Sequence, residues 1–454
     1  MARALSLGGP LLERLMSDFP PSPAQAAAIR AIKEWFETRT HEQQVFRLFG
    51  YAGSGKSTVL KFALDELGLS PHRGAKEGGC VPGVVTATFT GKAALVLSRK
   101  GTPARTIHSL IYSVIAATEE EIEAAGKRVR EAEDAARTLN GFDRTAAEAA
   151  IEAMRQALSA MKHPRFALNP ESDAAEARLI VLDEVSMVGG EMARDLMSFG
   201  KPILVLGDPG QLPPIKGEGA FTRDAPDIML TEIHRQAAES AIIRLATLAR
   251  TGEPIGFGSY DAHVAKLRKG DITPEQALRG GQLICGMNAT RLQLNNAMRA
   301  AAGFSSSWLP TGPDEKIICL KNENALGLVN GMFLCLEDVV DEGSLFFSAV
   351  VHDEEGRRVG LLDREGRPGR LRLYKGHFED HVAHDAHRHD RDWKEKRHLT
   401  EATFGWAITA HKAQGSQWPN VIVWDDGLGR SDLDRRRWLY TAITRAETGL
   451  VLLA

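Results

Sequence analysis

The stretch Phe46 to Thr58, FRLFGYAGSGKST, constrains this chain more than any other. An apolar run, Val45 to Phe49, reads as a buried parallel strand. It leads straight into Gly50, Gly53, Ser54, Gly55, Lys56, Ser57 and Thr58. That spacing is G-x-x-x-x-G-K-[ST], and Val59, Leu60, Phe62 and Ala63 continue it with a helical pattern. The glycines let backbone N–H groups turn inward and cradle phosphate oxygens, and the new helix adds its positive end. Lys56 is then placed for the β- and γ-phosphates of a nucleoside triphosphate, and the Ser57 hydroxyl for Mg²⁺. A glycine-rich turn that matches by chance would not carry strand, loop and helix together.

At 454 residues the chain is too long for one ordinary domain, and two to four are expected. A net charge of −3 neither predicts nor excludes a nucleic-acid partner, because a basic groove can sit on a near-neutral protein. Cys80, Cys285, Cys319 and Cys335 lie far apart with no C-x-x-C pair. A zinc site is not expected, and a reducing cytoplasm fits best. No apolar run approaches the ~20 residues a membrane span needs.

Ser22 or Pro23 can start a helix whose apolar face is Ala26, Ile29, Ile32, Trp35 and Phe36. Gln25 stands at that start, and a primary amide can pair with the N6 and N7 edge of adenine. Val84 to Thr90 is the next strand, carrying Phe89 and Thr90. Lys92 opens the helix after it, and His108 lies in the TIHSL segment beyond. Threonine, lysine and histidine at strand ends suit contacts to a phosphate backbone. Residues 119–161 are rich in Ala, Glu and Arg. Apolar positions step by three and four on either side of Asn140-Gly141-Phe142-Asp143, which reads as a helical hairpin.

ARLIVLD, Ala177 to Asp183, is a buried strand that ends in Asp183 and Glu184. Strand ends are where an open α/β sheet places its chemistry. Asp183 suits Mg²⁺ through water, and Glu184 can polarise an attacking water. A further strand ends in GDPGQLPP, where Gln211 can orient water, and LTEIHRQ places Arg235 before a helix. Residues 310–399 break into short strands separated by Asn330-Gly331, Glu342-Gly343 and Glu355-Gly356, a small all-β insert. Its tail, His381 to Asp390, is histidine-rich; a polar loop is expected there rather than a metal site. AITAHKAQG then supplies Thr409, His411 and Lys412, and YTAITRA supplies Arg445.

In this order the segments resemble a superfamily 1 DNA helicase of the RecD-like branch, over most of the chain outside the two inserts. GYAGSGKST, TFTGKAA with TIHSL, LDEVSMV, GDPGQLPPI, HRQ, AITAHKAQGSQ and YTAITRA carry the resemblance. This chain has Phe89-Thr90 where relatives have Pro-Thr, and Gln417 where Glu is frequent. The helical hairpin occupies the region where relatives carry a short β-pin.

The resemblance implies an α/β fold: two RecA-like doubly wound parallel sheets, with a helical-hairpin insert and a small SH3-like β-barrel insert. It divides the chain into a first unit (1–110 and 171–222), the hairpin (111–170), a second unit (223–309 and 400–454) and the β insert (310–399). ATP and Mg²⁺ are the implied cofactors, with Gln25 on adenine. Lys56, Asp183, Glu184 and Gln211 come from the first unit, and Arg235 and Arg445 act as arginine fingers. Single-stranded DNA and its junctions with duplex would lie on Phe89, Thr90, Lys92, His108, Thr409, His411 and Lys412. The branch implies a 5′→3′ helicase, monomeric, working beside replication or repair proteins, with no membrane partner. A single-strand-dependent ATPase that translocates and remodels protein–DNA complexes without unwinding fits the same motifs.

Overall fold

The computed structural model describes residues 20–70, 83–162, 165–214, 217–232, 240–304, 309–310, 315–362, 367–381 and 392–454. Arg235, Cys80 and nearly all of the histidine-rich tail lie outside them.

The first half of the chain builds β1 (Val45–Gly50), β2 (Val84–Thr88), β3 (Ala104–Thr106), β4 (Tyr112–Ile115), β5 (Arg165–Leu168), β6 (Leu179–Asp183), β7 (Ile203–Gly207) and β8 (Ile228–Leu230). Six of these form one parallel sheet, in the order β3-β2-β6-β7-β1-β8. LIVLD and ILVLG are buried almost throughout because helices cover both faces, which is why they read as apolar runs rather than alternations. One face packs Ala28, Ile32, Val59 and Leu60 from the helices Pro23–Thr38 and Lys56–Glu66. The other packs Ile107, Leu110, Ala193 and Leu196. Register brings Phe49 opposite Gly207 and Thr88 opposite Asp183, so the loops after β1, β2, β6 and β7 emerge side by side.

The helices Glu119–Ala136 and Gly141–Met161 pack along a seam that buries Ile122, Val129, Ala136 and Ile151. The turn between them comes earlier than the spacing predicts, because Asn140 is already the N-cap and Asp143 lies in the first helical turn. Beneath the helices, β4 and β5 pair antiparallel, Tyr112 opposite Leu168 and Ile115 opposite Arg165. The arm is thus helices on a β stem, and Val114, Ile115 and Phe166 of that stem are exposed.

The second unit starts with β9 (Gly258–Ser259), β10 (Val264–Leu267) and β11 (Gln282–Cys285). The chain then leaves it for β12 (Lys316–Cys319), β13 (Phe333–Asp341), β14 (Phe346–Asp353), β15 (Arg358–Val359), β16 (Leu371–Tyr374) and β17 (Ala402–Phe404). It returns for β18 (Ala407–Thr409), β19 (Trp418–Trp424) and β20 (Ala446–Leu453). The second sheet runs β18-β11-β19-β20-β10-β9 and is parallel except at its β9 edge.

The insert is an antiparallel sheet ordered β15-β14-β13-β12-β17, with β16 also on β14. Its circuit closes where Thr400 N donates to the Arg372 carbonyl at 2.8 Å and Tyr374 N to the Thr400 carbonyl at 3.0 Å. β17 pairs with β12, so the insert sheet runs past the expected boundary at residue 399 to Phe404. A Gly405-Trp406 step then carries the chain back to the second sheet. Cys285 and Cys319 are buried, whereas Cys335 on β13 is exposed. No helix among the described residues is long and apolar enough to cross a membrane.

Candidate functional site

Backbone sterics set the loop after β1. Gly53 and Gly55 both sit at φ 80°, the left-handed region where a side chain is penalised. A Cβ on Gly50 would lie 2.3 Å from Ser54 Oγ. The helix then starts at Lys56. Lys56 Nζ donates to the Gly50 carbonyl at 2.6 Å and to the Tyr51 carbonyl at 3.4 Å, which holds the ammonium over the loop. Ser57 and Thr58 occupy the first helical turn. Ser54 Oγ is buried and has no hydrogen-bond partner among the described residues.

Asp183 closes β6, and its Oδ1 accepts from Glu184 N at 2.9 Å. Glu184 itself lies at φ 55°, ψ 46°, a left-handed geometry that costs a non-glycine residue about 1–3 kcal/mol and recurs at functional sites. Burial, and then the adjacent Glu184 carboxylate, push Asp183 up to about 6, although Lys56 pulls the other way. A carboxylate so under-compensated, on a sheet edge that also presents the Ser57 hydroxyl, is a hard-oxygen donor set that suits Mg²⁺. Gln211 is buried, its N donates to the Asp208 carbonyl at 3.1 Å, and its Oε1 has no partner among the described residues. Orphaned polar atoms at Ser54 and Gln211, on the loops flanking Lys56, fit a site that receives a polar ligand.

Two residues that motif reading left without a role join this edge to the second sheet. Asp208 follows β7, and its Oδ1 accepts from Gly210 N at 2.9 Å. Tyr440 lies on the helix Asp432–Ile443 of the second unit. Its hydroxyl donates to Asp208 Oδ2 at 2.6 Å and accepts from Ala52 N in the phosphate loop at 2.9 Å. Burial raises the Asp208 carboxyl, and burial with the Asp208 charge raises the Tyr440 hydroxyl well above the tyrosine range. Arg250 lies 3.8 Å from the centroid of the Tyr51 ring, and a cavity of about 300 Å³ opens among Tyr51, Ala52, Thr231, Ile243, Arg250 and Tyr440. Leu212 N donates to Thr441 Oγ1 at 2.9 Å, and Gln414 Nε2 donates to the Leu212 carbonyl at 3.1 Å. The signal was present in GDPGQ and YTAITRA, but the partners are more than 200 residues apart in sequence.

Arg445 is buried, and its guanidinium donates to the carbonyls of Thr441 (3.1 Å) and Ser416 (3.2 Å) and to Thr444 Oγ1 (3.1 Å). These bonds hold it within its own unit. Gln25 is buried at the start of the helix Pro23–Thr38, where its Oε1 accepts from Ser22 N at 3.0 Å in a capping box.

The residues expected to contact DNA fall into one band across both units. Thr90 caps the helix Gly91–Arg99 by accepting from Ala93 N at 3.2 Å. Thr409 does the same for Lys412 N at 3.3 Å, so each sheet presents a capped turn and a lysine at a strand end. A Cβ on Gly415 would lie 2.7 Å from Thr90 Oγ1 and from Ala93 Cβ, so the two turns are in direct contact. Lys92 is buried and pairs with Glu354 of the insert, and Lys412 Nζ donates to Asn330 Oδ1. Burial lowers the Lys412 ammonium to about 8. Burial lowers both His411 and His108 from the ordinary histidine value, which disfavours a charge on either ring. Phe89 packs against the first core and meets His108 edge-on at 6.2 Å, while His108 also meets Tyr112 and Phe166 of the β stem.

The family described as AAA domain matches residues 21–271, and the family described as UvrD-like helicase C-terminal domain matches residues 404–453. The ATP-dependent RecD2 DNA helicase of Deinococcus radiodurans is 25% identical over 415 residues, which is 88% of this chain. The chain spans about half (45%) of that relative's length. Among solved structures, Pif1 from Bacteroides bound to single-stranded DNA aligns with 96% of this chain and 93% of its own, at 18% identity and a TM-score of 0.51. Pif1 helicase from Candida albicans aligns over 96% and 94%, at 17% identity and a TM-score of 0.46.

Proposed function

We propose, from the premise that this chain belongs to the AAA domain family and is of the superfamily 1 RecD/Pif1 helicase type, that it couples ATP hydrolysis to movement along single-stranded DNA and to strand separation. The observation that carries the reading is Tyr440, whose hydroxyl joins the phosphate loop and Asp208 of one sheet to a helix of the other. Whatever changes at the phosphate loop is thereby felt by the second sheet. Because Thr90 and Gly415 also touch, it is felt by the band of capped turns that would hold DNA.

Gly50, Gly53, Ser54, Gly55, Lys56, Ser57 and Thr58 grip the phosphates, and Gln25 reads the adenine. Ser57 and Asp183 would hold Mg²⁺, which offsets charge on the transferring phosphate. Glu184 takes a proton from the attacking water, and Gln211 orients it. Arg445 leaves its carbonyl partners for the γ-phosphate when the sheets close further, joined by Arg235. An arginine so placed is worth ~10³–10⁵ in rate. Phe89, Thr90, Lys92, His108, Thr409, His411 and Lys412 alternate their hold on the strand as the sheets move. Such contacts to phosphates are tolerant of sequence and sensitive to salt. The expected division stands as part of this reading: two RecA-like units, a hairpin arm at 111–170 and an SH3-like insert from 310, with its last strand extended to Phe404. Travel is 5′→3′ as a monomer, at single-strand/duplex junctions and beside replication or repair proteins.

The test is strand displacement with ATP on a duplex carrying a 5′ or a 3′ tail. Displacement from the 5′-tailed duplex alone is expected. ATP hydrolysis stimulated by DNA without displacement replaces the reading with a translocase, and no stimulation overturns both. Lys56→Ala should abolish hydrolysis and leave single-strand binding in place; equal loss of both argues against the assignment.

A further inference from the structure

The insert places two carboxylates on the cations of the first DNA-contact helix. The turn between β14 and β15 is Asp353-Glu354-Glu355-Gly356-Arg357. Glu354 pairs with Lys92, and one Glu354 oxygen lies 3.9 Å from Arg99 Nη1. Glu355 Oε1 lies 2.7 Å from Arg99 Nη2. Lys92 and Arg99 both belong to the helix Gly91–Arg99, the helix that Thr90 caps.

The turn is built to hold this position. Asp353 is buried, and its Oδ1 accepts from both Glu355 N and Arg357 N at 2.9 Å, while Arg357 Nε donates to its Oδ2 at 2.8 Å. Gly356 supplies the left-handed residue at φ 75° that lets the chain reverse. The rest of the insert is seated on the same helix: a Cβ on Gly91 would meet Val329 Cβ at 2.9 Å and Asn322 Oδ1 at 3.0 Å. Asn330 takes Lys412, the lysine of the second capped turn.

Carboxylate and phosphodiester oxygens compete for the same donors, an ammonium and a guanidinium. We infer that the Glu354-Glu355 turn is an intramolecular mimic of the nucleic-acid backbone, which occupies Lys92 and Arg99 until single-stranded DNA displaces it. The inference rests on the reading of Lys92 as a DNA contact. It adds that the insert sets the affinity and the salt response of binding. Displacing the turn breaks its ion pairs to Lys92 and Arg99, while the packing of Val329 and Asn322 against Gly91 keeps the insert seated on the helix.

The test uses the full chain, a fluorescein-labelled oligothymidine, and binding titrations across a range of KCl concentrations. Glu354→Gln with Glu355→Gln should tighten binding by about three- to tenfold at low salt. It should also steepen the dependence of log affinity on log salt by roughly 0.7 for each cation released. In a Lys92→Gln, Arg99→Gln background the same pair of changes should have no effect. Glu354→Ala with Glu355→Ala must behave as the glutamine pair does, and circular dichroism melts report that each variant is folded. Unchanged or weaker binding by the glutamine pair, with weaker binding by Lys92→Gln, Arg99→Gln, overturns the mimic and leaves the DNA contact standing. Unchanged binding by Lys92→Gln, Arg99→Gln removes the DNA contact and the mimic with it.

Discussion

Removing the Tyr440 hydroxyl strips two hydrogen bonds at once, one on the Ala52 N–H and one on the buried Asp208 carboxylate. Leaving a buried partner unpaired costs about 1–3 kcal/mol. Tyr440→Phe should therefore lower the melting temperature, and should lower DNA-stimulated ATP turnover by roughly tenfold or more while ATP still binds; turnover equal to the parent would remove Tyr440 from the coupling. Lys412 offers a pH test. Burial holds its ammonium at about 8, and only the protonated form attracts phosphate. Single-strand affinity should be full below that value and fall as pH rises through it. Lys412→Arg, which keeps its charge, should flatten the profile, and a parent profile already flat from pH ~7 to ~9 would show that Lys412 does not hold the strand.

The two-helix arm was legible because its apolar residues recur every three or four positions and bury one seam. Thr118 and Glu121 close its first helix with a capping box. Its β stem was not legible. YSVI and RFAL are four-residue strands whose apolar side chains stay largely exposed, so neither alternation nor burial marks them. Nor could sequence show what braces the arm. Lys394 of the insert pairs with Glu123 at 2.6 Å, and Lys162 lies 5.7 Å from the Trp393 ring. Replacing 119–161 with a short Gly-Ser linker on the stem should preserve DNA-stimulated ATP hydrolysis and abolish strand displacement. Undiminished displacement would reduce the arm to a structural appendage.

At the scale of the whole molecule, the two sheets meet at Leu212, Gln414, Tyr440 and the Thr90–Gly415 contact, and the insert touches both units through Glu354 on Lys92 and Asn330 on Lys412. Gly415 carries φ 76° and has no room for a methyl group beside Thr90 and Ala93. Gly415→Ala combines backbone strain of about 1 kcal/mol with a wedge between the sheets. DNA-stimulated hydrolysis should fall while basal hydrolysis holds. Equal stimulation in the variant would mean that hydrolysis does not need this contact.

The glycine spacing, the strand-end carboxylates and the apolar runs determined a parallel sheet with a phosphate loop and the edge on which its chemistry lies, and only the resemblance to superfamily 1 helicases implied the second sheet. These are local properties: a strand buried on both faces must be apolar, and a loop that turns its N–H groups inward must have glycine. Tertiary structure alone decided that Tyr440 meets Ala52 and Asp208, that Arg445 is held by its own unit, and that Glu354 covers Lys92. Each of these is a contact between groups far apart along the chain, and each exists only because folding brings two sheets and an insert together. A side chain's type announces what it can bind, but only packing decides which of several suitable partners it meets.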